Sequence, residues 1–594
     1  MMAWTMINAI HQVHCCAHQK PTSVTTTLDQ FKSQLLSSIQ PFVSNLHKIS
    51  IKLQVPGGMI KKTSTELLDA CTDSVFQFMD HPSHPSQSNF GPVEEMGEPV
   101  NVNDIQGTIP NGFTEGVYIR NGPNPLFGGL KTTKSIFGRS SHIWVEGEGM
   151  LHAIYFKKET DGRWTVSYNN KHVETDTFKM EKQRNKPSFL PAIEGDSPAI
   201  LSAYLLNLMR FGTVNKLLSN TSVFEHSGKV YSSAENHKPQ EINIRTLKTL
   251  GNWDVDKSWN RPFTAHPKKA PGSGELVMMG VNAIKPFFEI GIISADGNKL
   301  VHKADLKFER CSLCHDIGVT MRYNVILDFP LTIDLLRLVN GGPLIKYNKE
   351  GYARIGVMPR YGDGDSVKWF QVKTCCVFHL INTYEDGDEV IMWACRAKNS
   401  IIPGPDIGLN KFEWFSRRFK QECDTDFSAD ESFISQAYEW RLNMKTGEVK
   451  ERYLTGKSHS IDFPMVNENF VGLKNKYGYA QTVDLDASSI SGMAKYGGLV
   501  KLHLEDTKQQ DYVKTEYHKF PPNTFCTGSA FVAKSGGLEE DDGWLIAFVH
   551  DEQLDISRAI IVDAKKFTSE PVAIITLPHR VPYGFHGAFI PLTL

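Results

Sequence analysis

Residues 372–395 read VKTCCVFHLINTYEDGDEVIMWAC, and this stretch indicates the fold class. Two runs rich in β-branched and aromatic residues, Val372–Tyr384 and Val390–Cys395, stand on either side of the dipeptide Asp386-Gly387. An Asp-Gly turn between two such runs is a strong local signal for an antiparallel hairpin. The stretch therefore predicts paired β-strands.

Similar runs recur along the chain after residue 90. They are Trp164–Tyr168, Glu439–Met444 with the turn Lys445–Gly447, and Trp544–Val549 followed by Ile556–Asp563. Many short antiparallel strands predict an all-β sandwich, barrel or propeller. In a chain of 594 residues, the part beyond residue 90 is long enough for a propeller of several four-stranded blades. No internal repeat of the WD type is visible.

The composition is that of an average globular protein and argues against nucleic acid as a partner. Hydrophobic residues make up 40% of the chain, and 64 basic side chains stand against 66 acidic ones for a formal charge of −2. No excess of positive charge is available to neutralise phosphates. The ten cysteines show no disulfide framework spacing, and no long apolar run occurs. We expect free thiols in a reducing compartment and no segment that spans a membrane.

The start of the chain is predicted to be an N-terminal extension, residues 1–60, ahead of a propeller domain, residues 61–594. The extension contains one acidic residue, Asp29, and no arginine, which is typical of an organelle transit peptide. The alternative is an amphipathic helix, kinked at Pro41, that lies on a membrane surface or packs as an accessory element. A second helix is predicted over Ser64–Met79.

The insertion Pro198–Leu218 is predicted to contain a helix with a broad apolar face. The residues of this face are Ile200, Leu201, Tyr204, Leu205, Leu208, Met209 and Phe211. Packing in the core explains such a face without any further function. A patch that dips into a membrane is the alternative, which the flanking Arg210 and Lys216 favour.

The motif Cys311-Ser312-Leu313-Cys314-His315 has the spacing of a c-type haem attachment site. That interpretation requires a secreted or intermembrane setting, which nothing in the sequence indicates. A zinc site is equally weak, because Cys311 and Cys314 lack a second cysteine pair at a suitable spacing. Two buried thiols in a strand are the simpler prediction. The chain also lacks the motifs of serine hydrolases, P-loop proteins and dinucleotide-binding proteins.

Six separate motifs stand in order along the chain. They are Tyr118–Pro125, Glu146–His152, Thr264–Pro267, Cys314–Asp316, Phe378–His379 and Val581–Gly587. Together they resemble the plant carotenoid cleavage dioxygenase family, and the resemblance extends from about Ser64 to the C-terminus. Within that family, Asp462–Met465 and Gly472–Tyr479 are most similar to the branch that cleaves carotenoids at the 9,10(9′,10′) double bonds.

The resemblance implies a seven-bladed β-propeller whose helical insertions form a cap over an iron centre. Residue by residue, it implies that His266, His315, His379 and His586 are the ligands of one Fe(II) ion at the propeller axis. Imidazole suits Fe(II), and four neutral ligands leave the ion its full charge and up to two open positions for O₂. His152 also lies in a family motif, and we expect it to be a structural hydrogen-bonding residue.

In the family, three glutamates orient iron-ligating histidines by accepting the second ring N–H. Glu235 matches the first of them and is expected to hold His315. Asp462, which is one methylene shorter, stands at the second position and is expected to face His379.

The third position departs from the family pattern. Gly528 stands where the glutamate that supports His586 is expected. A water molecule, a backbone carbonyl or Thr527 would then have to support this ring. The departure bears on the turnover of ordinary carotenoids more than on iron binding.

The resemblance implies an oxidoreductase that incorporates O₂ and cleaves a conjugated C=C bond of a carotenoid or apocarotenoid, at 9,10(9′,10′), into two carbonyl products. Three alternatives stay open: cleavage of a stilbene or other phenylpropanoid alkene, isomerisation of a polyene, and non-catalytic carriage of an apolar ligand. The expected partners are an apolar polyene and O₂, without nucleic acid. We expect a monomer of the plastid or the cytoplasm that associates with membranes peripherally.

Overall fold

The structure is a computed structural model, which describes residues 64–80, 89–128, 131–401, 435–457, 459–505 and 511–592. The predicted extension, residues 1–60, lies outside the described residues, as does the helix predicted around Pro41. Within the described part, strands far outnumber helices. The prediction of an all-β fold is confirmed.

Seven four-stranded antiparallel blades form a propeller, which confirms the predicted architecture. We number the blades 1 to 7 and give each from its inner to its outer strand. Blade 1 is Gly587–Pro591, Gly116–Pro123, Gly149–Lys158 and Trp164–His172; blade 2 is Ser222–His226, Lys229–Ser233, Gln240–Ile242 and Thr249–Asn252; blade 3 is Lys268–Lys269, Leu276–Val281, Phe288–Ile293 and Leu300–Asp305; blade 4 is Gly318–Val319, Tyr323–Asp328, Ala353–Pro359 and Lys368–Val372. Blade 5 is Cys376–Asp386, Glu389–Ala397, Ser435–Asn443 and Val449–Tyr453; blade 6 is Ile461–Met465, Tyr477–Val483, Tyr496–His503 and Lys514–Lys519; blade 7 is Thr524–Ala533, Gly543–Asp551, Ile556–Asp563 and Ala573–Thr576.

Blade 1 combines strands from both ends of the described chain and so closes the ring. Its inner strand, Gly587–Pro591, pairs antiparallel with Gly116–Pro123. Two short strands extend the outer edges, Val100–Asn101 on blade 1 and Ile105–Gly107 on blade 7. Because the last strand pairs with an early one, main-chain hydrogen bonds within blade 1 hold the two ends of the described chain together.

Apolar side chains from neighbouring blades meet face to face and fill the space between the sheets. One cluster joins blades 7 and 1 around Tyr168 and Phe548, and another joins blades 5 and 6 around Trp393 and Val500. Middle strands are covered on both faces, and Gly543–Asp551 is buried along almost its whole length. Burial of both faces explains why these strands are continuously apolar and do not alternate.

The long insertions all leave the propeller at one end. Because adjacent strands run in opposite directions, two kinds of connection lie at the end where the inner strands begin: those from second to third strands, and those from one blade to the next. The long connections of the described part are of these kinds and include residues 124–148, 173–221, 253–267, 306–317 and 329–352. They form a cap over the starts of the inner strands.

The described part of the cap contains two small sheets, four α-helices and one short 3₁₀ helix, Trp144–Glu146. One sheet is Gln77–Asp80, Lys131–Ser135, Gly138–Ser141 and Glu194–Gly195, and the other is Cys311–Ser312, Leu331–Ile333 and Ile345–Tyr347. The helices are α1 (Ser64–Val75), α2 (Asp176–Arg184), α3 (Ser197–Phe211) and α4 (Leu335–Val339), and a further helix, Leu485–Ser491, lies within blade 6. Among the described helices, none has both the length and the apolar character needed to cross a membrane.

Helix α3 buries one face and leaves the other half-exposed. It ends at Gly212, which adopts the left-handed conformation with φ +73° and donates to the carbonyl of Leu208. Ala203 and Leu206 are buried in the cap, whereas Leu205 and Leu208 are half-exposed. Core packing therefore explains one side of the predicted apolar face, and the other side is accessible.

The two basic residues near this helix face inward. Arg210 is buried and pairs with Asp69 at 2.7 Å. Lys216 Nζ lies 2.5 Å from Glu148 and 2.9 Å from Glu181. The interpretation of Arg210 and Lys216 as membrane-facing flanks is therefore wrong, because carboxylates of the cap and of its junction with blade 1 neutralise both charges. Glu148 directly precedes a strand of blade 1, so the Lys216 pair ties the cap to the propeller.

Two predicted elements have different boundaries in the structure. The predicted run Val372–Tyr384 is divided, because Lys368–Val372 ends blade 4 and Cys376–Asp386 begins blade 5. No Gly or Pro marks the crossover, so the sequence pattern runs through it. Helix α1 ends at Val75 and is followed by the strand Gln77–Asp80, which pairs with Lys131–Ser135. Pairing with a distant strand overrides the local helical pattern there.

Candidate metal centre

Four histidines from four blades lie together at the capped end of the propeller. His266 precedes the inner strand of blade 3, His315 that of blade 4, and His586 that of blade 1. His379 lies near the start of the inner strand of blade 5. One ring nitrogen from each lies within 4.8 Å of the others. The starts of inner strands surround the propeller axis, which is why residues so distant in sequence converge.

The distances and the chemistry of these side chains fit one metal ion. Nε2 of His266 lies 3.0 Å from Nε2 of His315. Two imidazole nitrogens, each about 2.1 Å from one ion and at a right angle, would lie about 3.0 Å apart. Nε2 of His379 is buried and has no hydrogen-bond partner among the described residues, which is costly unless a ligand satisfies it. Imidazole suits iron, zinc, copper and nickel, so the donors define a metal centre without selecting the metal.

Burial and mutual proximity oppose protonation of two of the four rings. Burial, followed by the neighbouring imidazoles, holds the pKa of His266 and of His586 well below the usual value. Burial by itself also lowers the pKa of His315, but Glu235 outweighs it and the pKa is raised. Glu235 stabilises a proton on Nδ1 of His315, whereas Nε2 of that ring faces the other histidines.

Carboxylates lie behind two of the histidines. Oδ1 of Asp462 accepts a hydrogen bond from Nδ1 of His379 at 2.7 Å. Oε1 of Glu235 lies 2.7 Å from Nδ1 of His315, at hydrogen-bond distance but out of line. Burial by itself raises the pKa of Glu235, but the His315 ring outweighs it and holds the pKa below its usual value. Such carboxylates fix the tautomer and direct the Nε2 lone pair to the centre.

A third carboxylate, Asp316, joins three of the blades that carry the histidines. Its Oδ2 accepts from the backbone N–H of Leu380, next to His379, at 2.9 Å. Its Oδ1 lies 3.1 Å from Nζ of Lys268 in blade 3, and its main chain bridges to that of His266. No sequence pattern by itself assigned Asp316 a role, although its position directly after His315 in the Cys314–Asp316 motif was a usable signal.

Among the residues that the structure describes, no carboxylate lies behind the ring of His586. Gly528, in the inner strand of blade 7, has φ +131°, and a Cβ there would lie 2.5 Å from Cγ of Arg120 and 2.9 Å from the carbonyl oxygen of Phe585. A glutamate at this position therefore has no room. Thr527 does not take its place, because its hydroxyl is buried without a hydrogen-bond partner among the described residues.

A buried arginine fills the space beside Gly528. Arg120 is 1% exposed, and its Nη2 donates to the carbonyl of Pro582 at 2.5 Å. A Cβ on Gly122 or Gly584 would also collide with its guanidinium group. Burial lowers the pKa of Arg120 to about 10. The cationic side chain of Arg120, packed against Gly122, Gly528 and Gly584, therefore occupies the space beside the position where the family has a glutamate.

Two other sequence hypotheses are decided by geometry. Cys311 and Cys314 are both buried, and burial raises the pKa of the Cys311 thiol to about 12, so neither offers a reactive thiolate. His315 from the same motif points instead to the histidine cluster. His152 is buried, and its Nδ1 lies 2.7 Å from the hydroxyl of Tyr168. It makes a structural hydrogen bond, as expected.

Comparison with known proteins gives one consistent result. The family model described as RPE65, retinal pigment epithelial membrane protein, matches residues 90–591. The carotenoid 9,10(9′,10′)-cleavage dioxygenase 1 of Pisum sativum is 31% identical over 557 residues, which cover 90% of this chain and 95% of that protein. The carotenoid 9,10(9′,10′)-cleavage dioxygenase of Crocus sativus is 29% identical and covers 91% of this chain and 95% of its own.

Solved structures with lower identity share the fold. The lignostilbene dioxygenase of Pseudomonas brassicacearum superposes with a TM-score of 0.70 at 22% identity, covering 86% of this chain and all of its own, 100%. A cobalt-substituted Synechocystis ACO superposes with a TM-score of 0.67 at 21% identity, covering 86% of this chain and 100% of its own. The propeller with its cap is therefore a shared architecture.

Proposed function

The chain belongs to the RPE65 and carotenoid cleavage dioxygenase family, and from this premise we propose that it is a non-haem Fe(II) dioxygenase that cleaves a conjugated C=C bond of a carotenoid or apocarotenoid. The observation that carries the proposal is the convergence of four histidine nitrogens, from four blades, within 4.8 Å of one another. Family membership indicates the class of reaction, and the four-histidine cluster indicates where in the protein the reaction would take place.

We assign the iron ligands to His266, His315, His379 and His586. Bound Fe(II) supplies the redox activation of O₂ that is needed to convert one alkene and one O₂ into two carbonyl products. Glu235 then holds the Nδ1 proton of its histidine, so that the Nε2 lone pair stays directed at the centre.

Asp462 does the same for His379, at 2.7 Å. The inner strands fix these histidines rigidly, because the blades pack against one another through extended apolar clusters. The polyene is a long rod of repeated double bonds, so its position along the rod selects the bond that reacts. A misplacement of about 1 Å costs on the order of 100-fold in rate. We propose the 9,10(9′,10′) bond, since the relatives that are 29–31% identical to this chain are named for it.

The half-exposed face of α3 is proposed to contact membranes. An apolar polyene has a very low free concentration in water, so it has to enter along an apolar surface. Leu205 and Leu208 lie on the accessible face of the helix. Peripheral contact of this kind requires no membrane-spanning segment.

We further propose that residues 61–594 form the propeller domain, that residues 1–60 are an extension to it, and that the protein acts as a monomer. One chain contains all four histidines, so the centre needs no second copy. A fluorescent fusion with and without residues 1–60 distinguishes a plastid from a cytoplasmic location. Loss of plastid targeting on deletion identifies the extension as a transit peptide.

The test is expression in a bacterium that accumulates carotenoids. We expect loss of colour and the appearance of C13 ketones, with labelled oxygen from ¹⁸O₂ in both carbonyl products. Retained colour together with cleavage of a stilbene would replace the proposed substrate. Isomerised or merely bound polyene, without oxygen uptake, would refute the dioxygenase assignment.

The matched control for the metal is His315→Ala. We expect it to lose both iron and cleavage, because three imidazoles hold the ion less firmly in the same geometry. Full iron content with haem absorbance in this variant would contradict the assignment and restore the haem interpretation of the Cys311–His315 motif.

A further inference from the structure

Phe463 has a backbone conformation that aromatic residues rarely adopt. It follows Asp462 in the inner strand of blade 6, and its φ is +52°, in the left-handed region. Its N–H donates to Oδ1 of Asp462 at 2.8 Å, and the same oxygen accepts the hydrogen bond from His379. The conformation of Phe463 is thus linked directly to the carboxylate behind one histidine.

This conformation brings the Phe463 ring onto two histidines of the centre. The ring centroid lies 5.0 Å from that of His379, with the planes tilted by 39°, and 4.8 Å from that of His586, with a tilt of 42°. Tyr496 packs edge-on against Phe463 at 5.3 Å and 81°. Consecutive side chains of a regular strand point to opposite faces. The left-handed backbone departs from that rule and lets Asp462 and Phe463 contact the same histidine.

Besides Phe463, the ring of His586 contacts the rings of His266 and His379, whose centroids lie 4.4 Å and 4.8 Å away. The backbone N–H of His586 donates to the carbonyl of Thr221 at 3.2 Å, and the backbone carbonyl of His586 accepts from the N–H of Asn121 at 3.1 Å. These bonds fix the main chain and leave the ring unrestrained. Within the part of the chain that the structure describes, no side chain forms a hydrogen bond with the ring. A carboxylate is excluded at Gly528 because its Cβ would meet Arg120.

We propose that Phe463 is a positioning residue that orients the His586 ring through aromatic contact, in place of the carboxylate that position 528 cannot hold. The proposal rests on the proposed role of the four histidines as metal ligands. The same ring restrains His379, so one side chain acts on two of the four donors. Strain in the backbone persists only where the surroundings enforce it, and here the Asp462 and Tyr496 contacts do so.

Titration of the metal-free protein with Co(II) tests the proposal without relying on turnover. Phe463→Gly removes the ring and also relieves the left-handed strain, which offsets part of the packing lost with the ring. We expect Co(II) affinity to fall about tenfold and the visible absorption of bound Co(II) to change, since a freed imidazole loses its fixed direction. Phe463→Tyr keeps the ring and should retain both the affinity and the spectrum.

Ser227→Gly is the matched control, because Ser227 has φ +54° in an exposed hairpin away from the centre. We expect it to leave Co(II) binding unchanged. Wild-type affinity and spectrum in Phe463→Gly would overturn the proposal, as would the same result in Phe463→Leu if the glycine variant does not fold. Absence of Co(II) binding by the wild-type chain would instead overturn the proposed metal centre, and this inference with it.

Discussion

Replacement of Gly528 by alanine tests how tightly the chain packs beside His586. Gly528 has φ +131°, a conformation essentially restricted to glycine, so an alanine there carries backbone strain of about 1–3 kcal/mol. Its Cβ would also lie 2.5 Å from Cγ of Arg120 and 2.9 Å from the carbonyl oxygen of Phe585. Arg120 is buried among glycines and has nowhere to move, so overpacking adds about 1–3 kcal/mol. We expect Gly528→Ala to lose about 2–6 kcal/mol of unfolding free energy.

Gly251→Ala separates the two contributions. Gly251 has φ +146°, yet no heavy atom lies within 4 Å of the position its Cβ would take. This variant carries backbone strain alone, and the difference between the two variants measures the collision. Urea denaturation gives both free energies, and the iron content of each purified variant shows whether the shift of Phe585 reaches the adjacent His586. Equal destabilisation of both variants, with full iron in Gly528→Ala, would refute the packing described here.

Three other sets of substitutions test separate parts of the structure. Asp462→Ala should lower metal affinity or turnover about 10- to 100-fold. Asp462→Asn keeps a hydrogen-bond acceptor for His379 and should retain more iron than the alanine variant. Wild-type iron content and turnover in Asp462→Ala would contradict the role of this residue. Lys216→Met leaves two buried carboxylates without their cation and should lower the free energy of unfolding, measured by urea denaturation, by about 3–5 kcal/mol. The control Lys186→Met removes an exposed lysine and should lower it by at most about 1 kcal/mol. Similar losses in the two variants would show that the buried network is not formed. Replacing Leu205 and Leu208 together by Glu should weaken liposome binding and slow turnover of membrane-borne substrate only; equal slowing with detergent-solubilised substrate would indicate a packing defect.

Local sequence signals were sufficient for the strands and insufficient for their arrangement. The run Ile556–Asp563 was predicted with the boundaries that it has in the structure, because turns flank it on both sides. The run Val372–Tyr384 was wrong as one strand, since a blade crossover without Gly or Pro has no local signature. The number of blades and the pairing of Gly587–Pro591 with Gly116–Pro123 depend on contacts between the two ends of the described chain. Periodicity within a window of a few residues carries no information about such contacts.

For the site, similarity to the family identified candidate residues, whereas the conformations of two neighbouring residues became apparent only in the structure. Motif similarity named the four histidines, Glu235 and Asp462, because those positions keep the side-chain chemistry of the family, with an aspartate in place of a glutamate at 462. It gave no indication that Gly528 needs a positive φ. A glycine in the sequence looks the same whether the backbone requires a glycine there or would accept another residue. Phe463 was missed for the opposite reason. A bulky residue with φ +52° contradicts the usual preference, so no sequence rule assigns it there.

Closure of the propeller and completion of the centre are coupled by the order of the chain. His586 directly precedes the strand Gly587–Pro591, whose pairing with blade 1 closes the ring, so this ring nitrogen reaches the centre only when the last blade is complete. The other three histidines belong to blades 3, 4 and 5, which form from contiguous sequence. A metal held by all four therefore links the end of the chain to its middle, and its binding free energy adds to the free energy of ring closure. The ring that joins last has no carboxylate behind it among the described residues, so its orientation depends on aromatic packing by Phe463, which is in place only once blades 6, 7 and 1 have come together.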